Sequence, residues 1–252
     1  ESINLNTLDR IKGIEEIDKG QLAVVLDSGI YLYDENGVET NRVIYKEDKK
    51  TPLLMTAAYY SSKRLYVGDE ASQCVLALSL VDVYGKTKKE ELVPLTLKFE
   101  IVSSFPNLFE SKREGILKKP SSICVAPDGR VFVGDISLNL IRVFSCDGRY
   151  LYDFEKVTGI EPTSIEYDDR PKSVQTPKNT YDPARLEEHG RVHVSDSGNS
   201  KIHVFTTTGK YLFSYGEGIL ERPSDLAIDV SRNIIYVADA AKKAIFVFGY
   251  QE

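Results

Sequence analysis

Apolar and polar residues alternate with a period of two along most of the chain, in short runs bounded by Gly, Asp, Asn or Pro, as in "KIHVF" at 201–205 and "RVHVSD" at 191–196. That period, with its enrichment in Val, Ile, Tyr and Phe, predicts short β-strands joined by tight turns. Good helix formers gather only in "YDPARLEEHG" at 181–190, enough for one helical turn inside a loop. The pattern therefore predicts an all-β fold.

The strands recur as a unit. "RVHVSDSGNSKIHVFTTTGKYLFSYG" at 191–216 matches "RVFVGDISLNLIRVFSCDGRYLYDF" at 130–154 nearly position for position, and "NIIYVADAAKKAIFVFGYQE" at 233–252 follows the same plan. Weaker copies are "QLAVVLDSGIYLYDENGVETNRVIY" at 21–45 and "RLYVGDEASQCVLALSL" at 64–80. Their shared Asp falls at Asp27, Asp69, Asp135, Asp196 and Asp239, at intervals of 42, 66, 61 and 43. Each copy has a lead-in strand, clearest where it opens on Pro, as in "PSSICVAPDGR" at 120–130, "PSDLAIDVSRN" at 223–233 and "PTSIEYDDR" at 162–170. Four antiparallel strands in a repeat of about 40–45 residues predict a β-propeller blade.

Five blades are recognised, and the two longer intervals are each read as carrying an insertion. The last repeat ends after its third strand, and the alternating "SINLNTL" at 2–8 is expected to complete that blade and close a single domain over 1–252.

Composition changes this picture little. With 42% hydrophobic residues, 28% charged and a formal net charge of -6, the chain can bury a substantial core and has no global pull toward nucleic acid. No apolar run approaches the roughly 18–20 residues of a membrane helix. Cys74, Cys124 and Cys146 follow no metal-ligand spacing, which points to a reducing, cytoplasmic setting.

Candidate chemistry is mostly absorbed by the repeat. The recurrent Asp follows the second strand and is expected to accept turn N–H groups. His193 stands where other copies have Tyr66, Phe132 and Tyr236, an aromatic packing position, and His203 aligns with the variable Tyr31, Arg142 and Phe246. Asp168 and Asp169 read as solvated loop charges. There is no phosphate loop and no nucleophile elbow.

The order Pro, apolar strand, "VxD", "I-x-V-F", "G-x-Y/F-L" resembles the NHL repeat, strongly from about 120 to the C terminus. The resemblance implies a propeller of the kind found at the C terminus of TRIM-NHL proteins, with six blades as the family default. Amidating lyases on NHL-like propellers hold zinc with histidines from different blades; here His189, His193 and His203 share one repeat, so no metal or other cofactor is expected.

What the resemblance implies, together with a basic rim, is a non-catalytic platform for single-stranded RNA, with a protein partner as the alternative and a propeller hydrolase or lyase behind both. The expected contact residues are Lys112, Arg113, Lys118, Lys119, Asn199, Lys201, Tyr215, Arg222, Lys242 and Lys243. Phe105 and Phe109 are further expected stacking surfaces.

Overall fold

The computed structural model describes residues 10–17, 20–26, 29–43, 54–60, 64–86, 92–105, 115–169 and 190–249. The expected strand at 2–8 and the helical turn at 181–190 lie outside these residues. Among the described residues no helix is long and apolar enough to cross a membrane.

The fold is all-β and is a β-propeller built from antiparallel sheets. Five sheets are described, one for each repeated Asp. The first runs β1 (Ile11–Ile17), β2 (Gln21–Leu26), β3 (Gly29–Tyr33), β4 (Glu39–Val43), and the second β5 (Leu54–Tyr60), β6 (Arg64–Asp69), β7 (Cys74–Lys86), β8 (Leu92–Phe105). The third holds β9 (Pro120–Val125), β10 (Val131–Asp135), β11 (Leu140–Phe144) and β12 (Tyr150–Asp153). The fourth holds β13 (Pro162–Asp168), β14 (Arg191–Asp196), β15 (Lys201–Thr206) and β16 (Tyr211–Tyr215). The fifth has three described strands, β17 (Pro223–Asp229), β18 (Ile234–Asp239) and β19 (Ala244–Gly249), with one 3₁₀ turn at Val230–Arg232.

The extra length between Asp69 and Asp135 has a simple form. "CVLALSLVDVYGK" and "LVPLTLKFEIVSSF" keep alternating well past the usual strand length, so β7 and β8 pair as a long hairpin from Val75↔Phe105 to Lys86↔Leu92. The insertion lengthens a blade and does not add one.

By contacts the chain divides into two compact units, residues 1–131 with 144–150, and residues 132–143 with 151–252. In the first, Ala23, Val25, Ile30, Leu32, Leu65, Val67, Leu76 and Leu78 form one buried cluster. Tyr66 is fully buried, and its hydroxyl and the Arg64 guanidinium both donate to the Cys146 carbonyl, at 3.0 and 2.9 Å.

The second unit carries the fourth and fifth sheets. β14 and β15 bury every residue after their first, as expected of central strands covered on both faces. On one face the rings of Phe132, Phe154, Phe205 and Tyr211 make successive contacts at centroid distances of 5.6, 5.1 and 5.5 Å. On the other face β13 meets β17: Thr163 Oγ1 donates to the Pro223 carbonyl at 2.9 Å and Ser164 Oγ to Asp225 Oδ1 at 2.8 Å. Leu220, Leu226, Ile235, Val237 and Ile202 fill the space beside them, with Tyr215 and Phe248 packed at its margin.

Asp27 lies outside the described residues; at the four described repeats the shared Asp fixes the turn. Asp69, Asp135, Asp196 and Asp239 are all buried. Asp135 Oδ1 accepts the amides of Ser137 and Leu138 at 3.0 Å each, and Asp239 Oδ1 those of Ala241 and Lys242 at 3.1 and 3.0 Å. Asp196 and Asp239 also reach back to the preceding inter-sheet link, through Glu161 N at 3.0 Å and Glu221 N at 2.7 Å. A buried carboxylate costs several kcal/mol unless its lone pairs are satisfied, and here the turn supplies the donors.

Candidate functional site

The fourth sheet places its polar side chains by register. Asp168 lies opposite Arg191, Glu166 opposite His193 and Ser164 opposite Ser195. Across β15, His193 aligns with Val204 and then Phe213, while Ser195 aligns with Ile202 and then Tyr215. Directly opposed residues point to the same side of a sheet, so one face carries Asp168, Arg191, His193, Phe213 and Tyr215 together.

On that face a carboxylate, an imidazole and a phenol stand in line. Asp168 Oδ2 is 3.5 Å from His193 Nε2, and His193 Nδ1 is 3.2 Å from the Tyr215 hydroxyl. Asp168 and His193 are buried and Tyr215 is half-buried. With the proton on Nε2, toward the carboxylate, the Nδ1 lone pair accepts the Tyr215 hydroxyl. The Phe248 ring meets Tyr215 edge-on at 5.2 Å and limits its rotation.

The expectation that Asp168 is a solvated loop charge is corrected: it ends β13 and is enclosed. His193 does occupy a packing position, but it also has polar partners. Three polar residues spaced two apart in "SIEYD", opposite a histidine in an aromatic slot, were the available signal.

A second buried histidine lies on the opposite face. His203 Nε2 is 2.9 Å from Asp196 Oδ2, while its Nδ1 has no hydrogen-bond partner among the described residues. Burial pushes the Asp196 carboxyl up, but hydrogen bonds from His203, from the Asn199 side chain and from the Glu161 and Asn199 amides outweigh it and hold the pKa below the ordinary value. At Asp239 burial again acts upward, and the amides of Glu221, Lys242, Arg222 and Ala241 bring the pKa down.

Of the ten residues expected to contact RNA, Lys119, Asn199, Lys201 and Tyr215 have partners within the fold. Lys112, Arg113 and Phe109 lie outside the described residues, and the Phe105 side chain is not described. Lys119 is 3.2 Å from Glu70, and Lys201 is 3.1 Å from Glu217. The Asn199 amide donates to Asp196 Oδ2 at 2.7 Å and to the Gly159 carbonyl at 3.2 Å, tying its own turn to the inter-sheet link. Tyr215 is half-buried, beside His193 and Phe248. Lys118, Arg222, Lys242 and Lys243 are exposed.

No protein-family model matches the chain, and no curated protein does. Solved structures do. The chain is similar to a streptogramin B lyase at 14% identity and a TM-score of 0.57, over 100% of this chain and 73% of that one. It is also similar to a catalytically inactive histidine-to-alanine variant of virginiamycin B lyase from Staphylococcus aureus with quinupristin, at 15% identity and a TM-score of 0.52, over 100% and 73% of the two chains. A protein of unknown function from Bacteroides caccae aligns at 11% identity and a TM-score of 0.60, over 97% of this chain and 80% of that one.

At such identities the likeness establishes the propeller fold. It also corrects the expectation of a non-catalytic platform for RNA or a protein partner, because solved structures of the same fold include lyases.

Proposed function

We propose that the chain is an acid–base enzyme of the lyase or hydrolase class, with Tyr215 as the group that exchanges a proton with substrate. The observation that carries this reading is the Asp168–His193–Tyr215 line, with separations of 3.5 and 3.2 Å. His193 Nδ1 takes the phenolic proton as Tyr215 accepts one from substrate, and the Asp168 carboxylate stabilises the imidazolium that forms. His193 and Asp168 are positioning residues; Tyr215 is the catalytic one. Likeness to lyases of the same fold favours this class over others.

The repeats themselves are read as NHL-type. The recurrence of a buried Asp that closes each turn through backbone amides supports that assignment.

The test is turnover of quinupristin, of simple lactones and of aryl esters by the purified protein and its Tyr215→Phe variant. Turnover that falls about 100-fold or more in the variant, with an unchanged melting temperature, is expected from loss of a general acid–base group. Equal rates in the two proteins, or no turnover of any of these compounds, overturn the reading.

A further inference from the structure

The junction of the fourth and fifth sheets shows what the face of a blade takes. Ile202 and Val204 lie on the same side of β15 and are fully buried. Ile202 packs with Leu220 and Leu226 of the lead-in "LERPSDL" at 220–226. Polar bonds hold that lead-in in place: Ser200 Oγ donates to the Glu221 carbonyl at 2.7 Å and Thr163 Oγ1 to the Pro223 carbonyl at 2.9 Å.

The fifth sheet repeats this face without its cover. Ile245 and Val247 follow Asp239 at the same distances along the chain as Ile202 and Val204 follow Asp196, yet they are 70% and 58% exposed. They alternate with Phe246 and Phe248, which turn to the other side and pack inward. Beside Ile245, the small side chains of Ala238, Ala240 and Ala244 leave a recess of about 280 Å³, room for an aliphatic side chain. A contiguous apolar surface of this kind marks a contact with another molecule. At its margin Lys242 and Lys243 are exposed, and among the described residues their ammonium groups make no ion pair.

The complementary lead-in is "LDRIKGI" at 8–14, which has Leu8, Asp9 and Arg10 where the other has Leu220, Glu221 and Arg222. β1, β13 and β17 share a bulge between their first and third residues, which makes Ile14 the counterpart of Ile165 and Leu226. Ile165 and Leu226 are buried, whereas Ile14 is 57% exposed. A receiving face and an inserting lead-in are thus both uncovered in one chain. Asp9 carries a charge opposite to that of Lys242 and Lys243.

We propose that a second copy of this chain lays its residues 8–14 on the exposed face of the fifth sheet, as residues 220–226 lie on the fourth. The contact is heterologous: each copy inserts one surface and receives on another, so association passes from copy to copy until a ring closes or a filament grows. Phe248 and, beyond it, Tyr215 lie on the other side of the fifth sheet, so docking and turnover are read separately.

Sedimentation of the intact chain over a range of concentrations is expected to show a mass that rises above that of one chain. Ile14→Asp and Ile245→Asp each place a charge at an exposed position, and each variant alone is expected to sediment as a single chain with the parent's melting temperature. Mixed in equal amounts, the two are expected to pair one to one and stop there, because the mixture holds one intact lead-in and one intact face. Should either variant unfold, Ile14→Ser and Ile245→Ser make the same comparison. A parent that stays a single chain at every concentration, single variants that associate as the parent does, or a mixture that fails to pair overturns the proposal.

Discussion

At the scale of single residues, the buried carboxylates decide most. Asp239 accepts four backbone amides, from Glu221, Arg222, Ala241 and Lys242, so replacing it leaves several donors unpaired. Asp239→Ala is expected to cost about 1–3 kcal/mol in urea unfolding. The pH dependence has a definite sign. The folded pKa values of Asp239 and Asp196 are lowered, so their contribution is fully present above the unfolded value of about 3.9 and is lost as pH falls through the folded values. The stability gap between the parent chain and Asp239→Asn should therefore narrow below about pH 4; a constant gap from neutral to acid would show that the carboxylate's charge plays no part. Sequence made this role of the Asp legible, because the same residue recurs before the same kind of turn. It did not make the role of Asp168 legible, because that Asp acts across strands and only the register shows its partner.

At the scale of elements, the turn after each Asp has a fixed backbone shape. The fourth residue past the Asp adopts the left-handed conformation in each described case: Gln73, Asn139, Ser200 and Lys243, with φ of 55, 54, 59 and 52°. A lysine is strained there in a way a glycine is not, so Lys243→Gly is expected to raise stability by about 0.5–1 kcal/mol, read from the urea midpoint. A lower midpoint would mean that the Lys243 side chain contributes more than its backbone costs. The hairpin at Gly209 behaves oppositely. Its φ is +86°, and a Cβ would come within 2.8 Å of Phe154 Cδ1, so Gly209→Ala is expected to destabilise by roughly 1–3 kcal/mol. Repeats made these strands and turns readable from the alternation alone. The hairpin β7–β8 was harder, since a long run of alternation reads equally as an insertion or as extended strands.

At the scale of the whole molecule, repetition explains why the fold was legible and the site was not. A propeller is specified redundantly, by the same pattern written several times, and any one copy suffices to reveal it. A site is specified once, where a copy departs from the pattern, as His193 departs from Tyr66 and Phe132. Basic turns drew attention because charge is visible in sequence, whereas the ion pairs Lys119–Glu70 and Lys201–Glu217 that occupy two of those lysines join residues far apart along the chain. In the proposed mechanism His193 links Asp168 to Tyr215 as a neutral imidazole ready to take the phenolic proton. Nitrogen NMR of the histidine-labelled protein reads this without knowledge of the substrate. A neutral His193 protonated at Nε2, with an Nδ1 resonance that shifts on Tyr215→Phe, is the predicted result; a His193 protonated at Nδ1, or one indifferent to the loss of the Tyr215 hydroxyl, would contradict it.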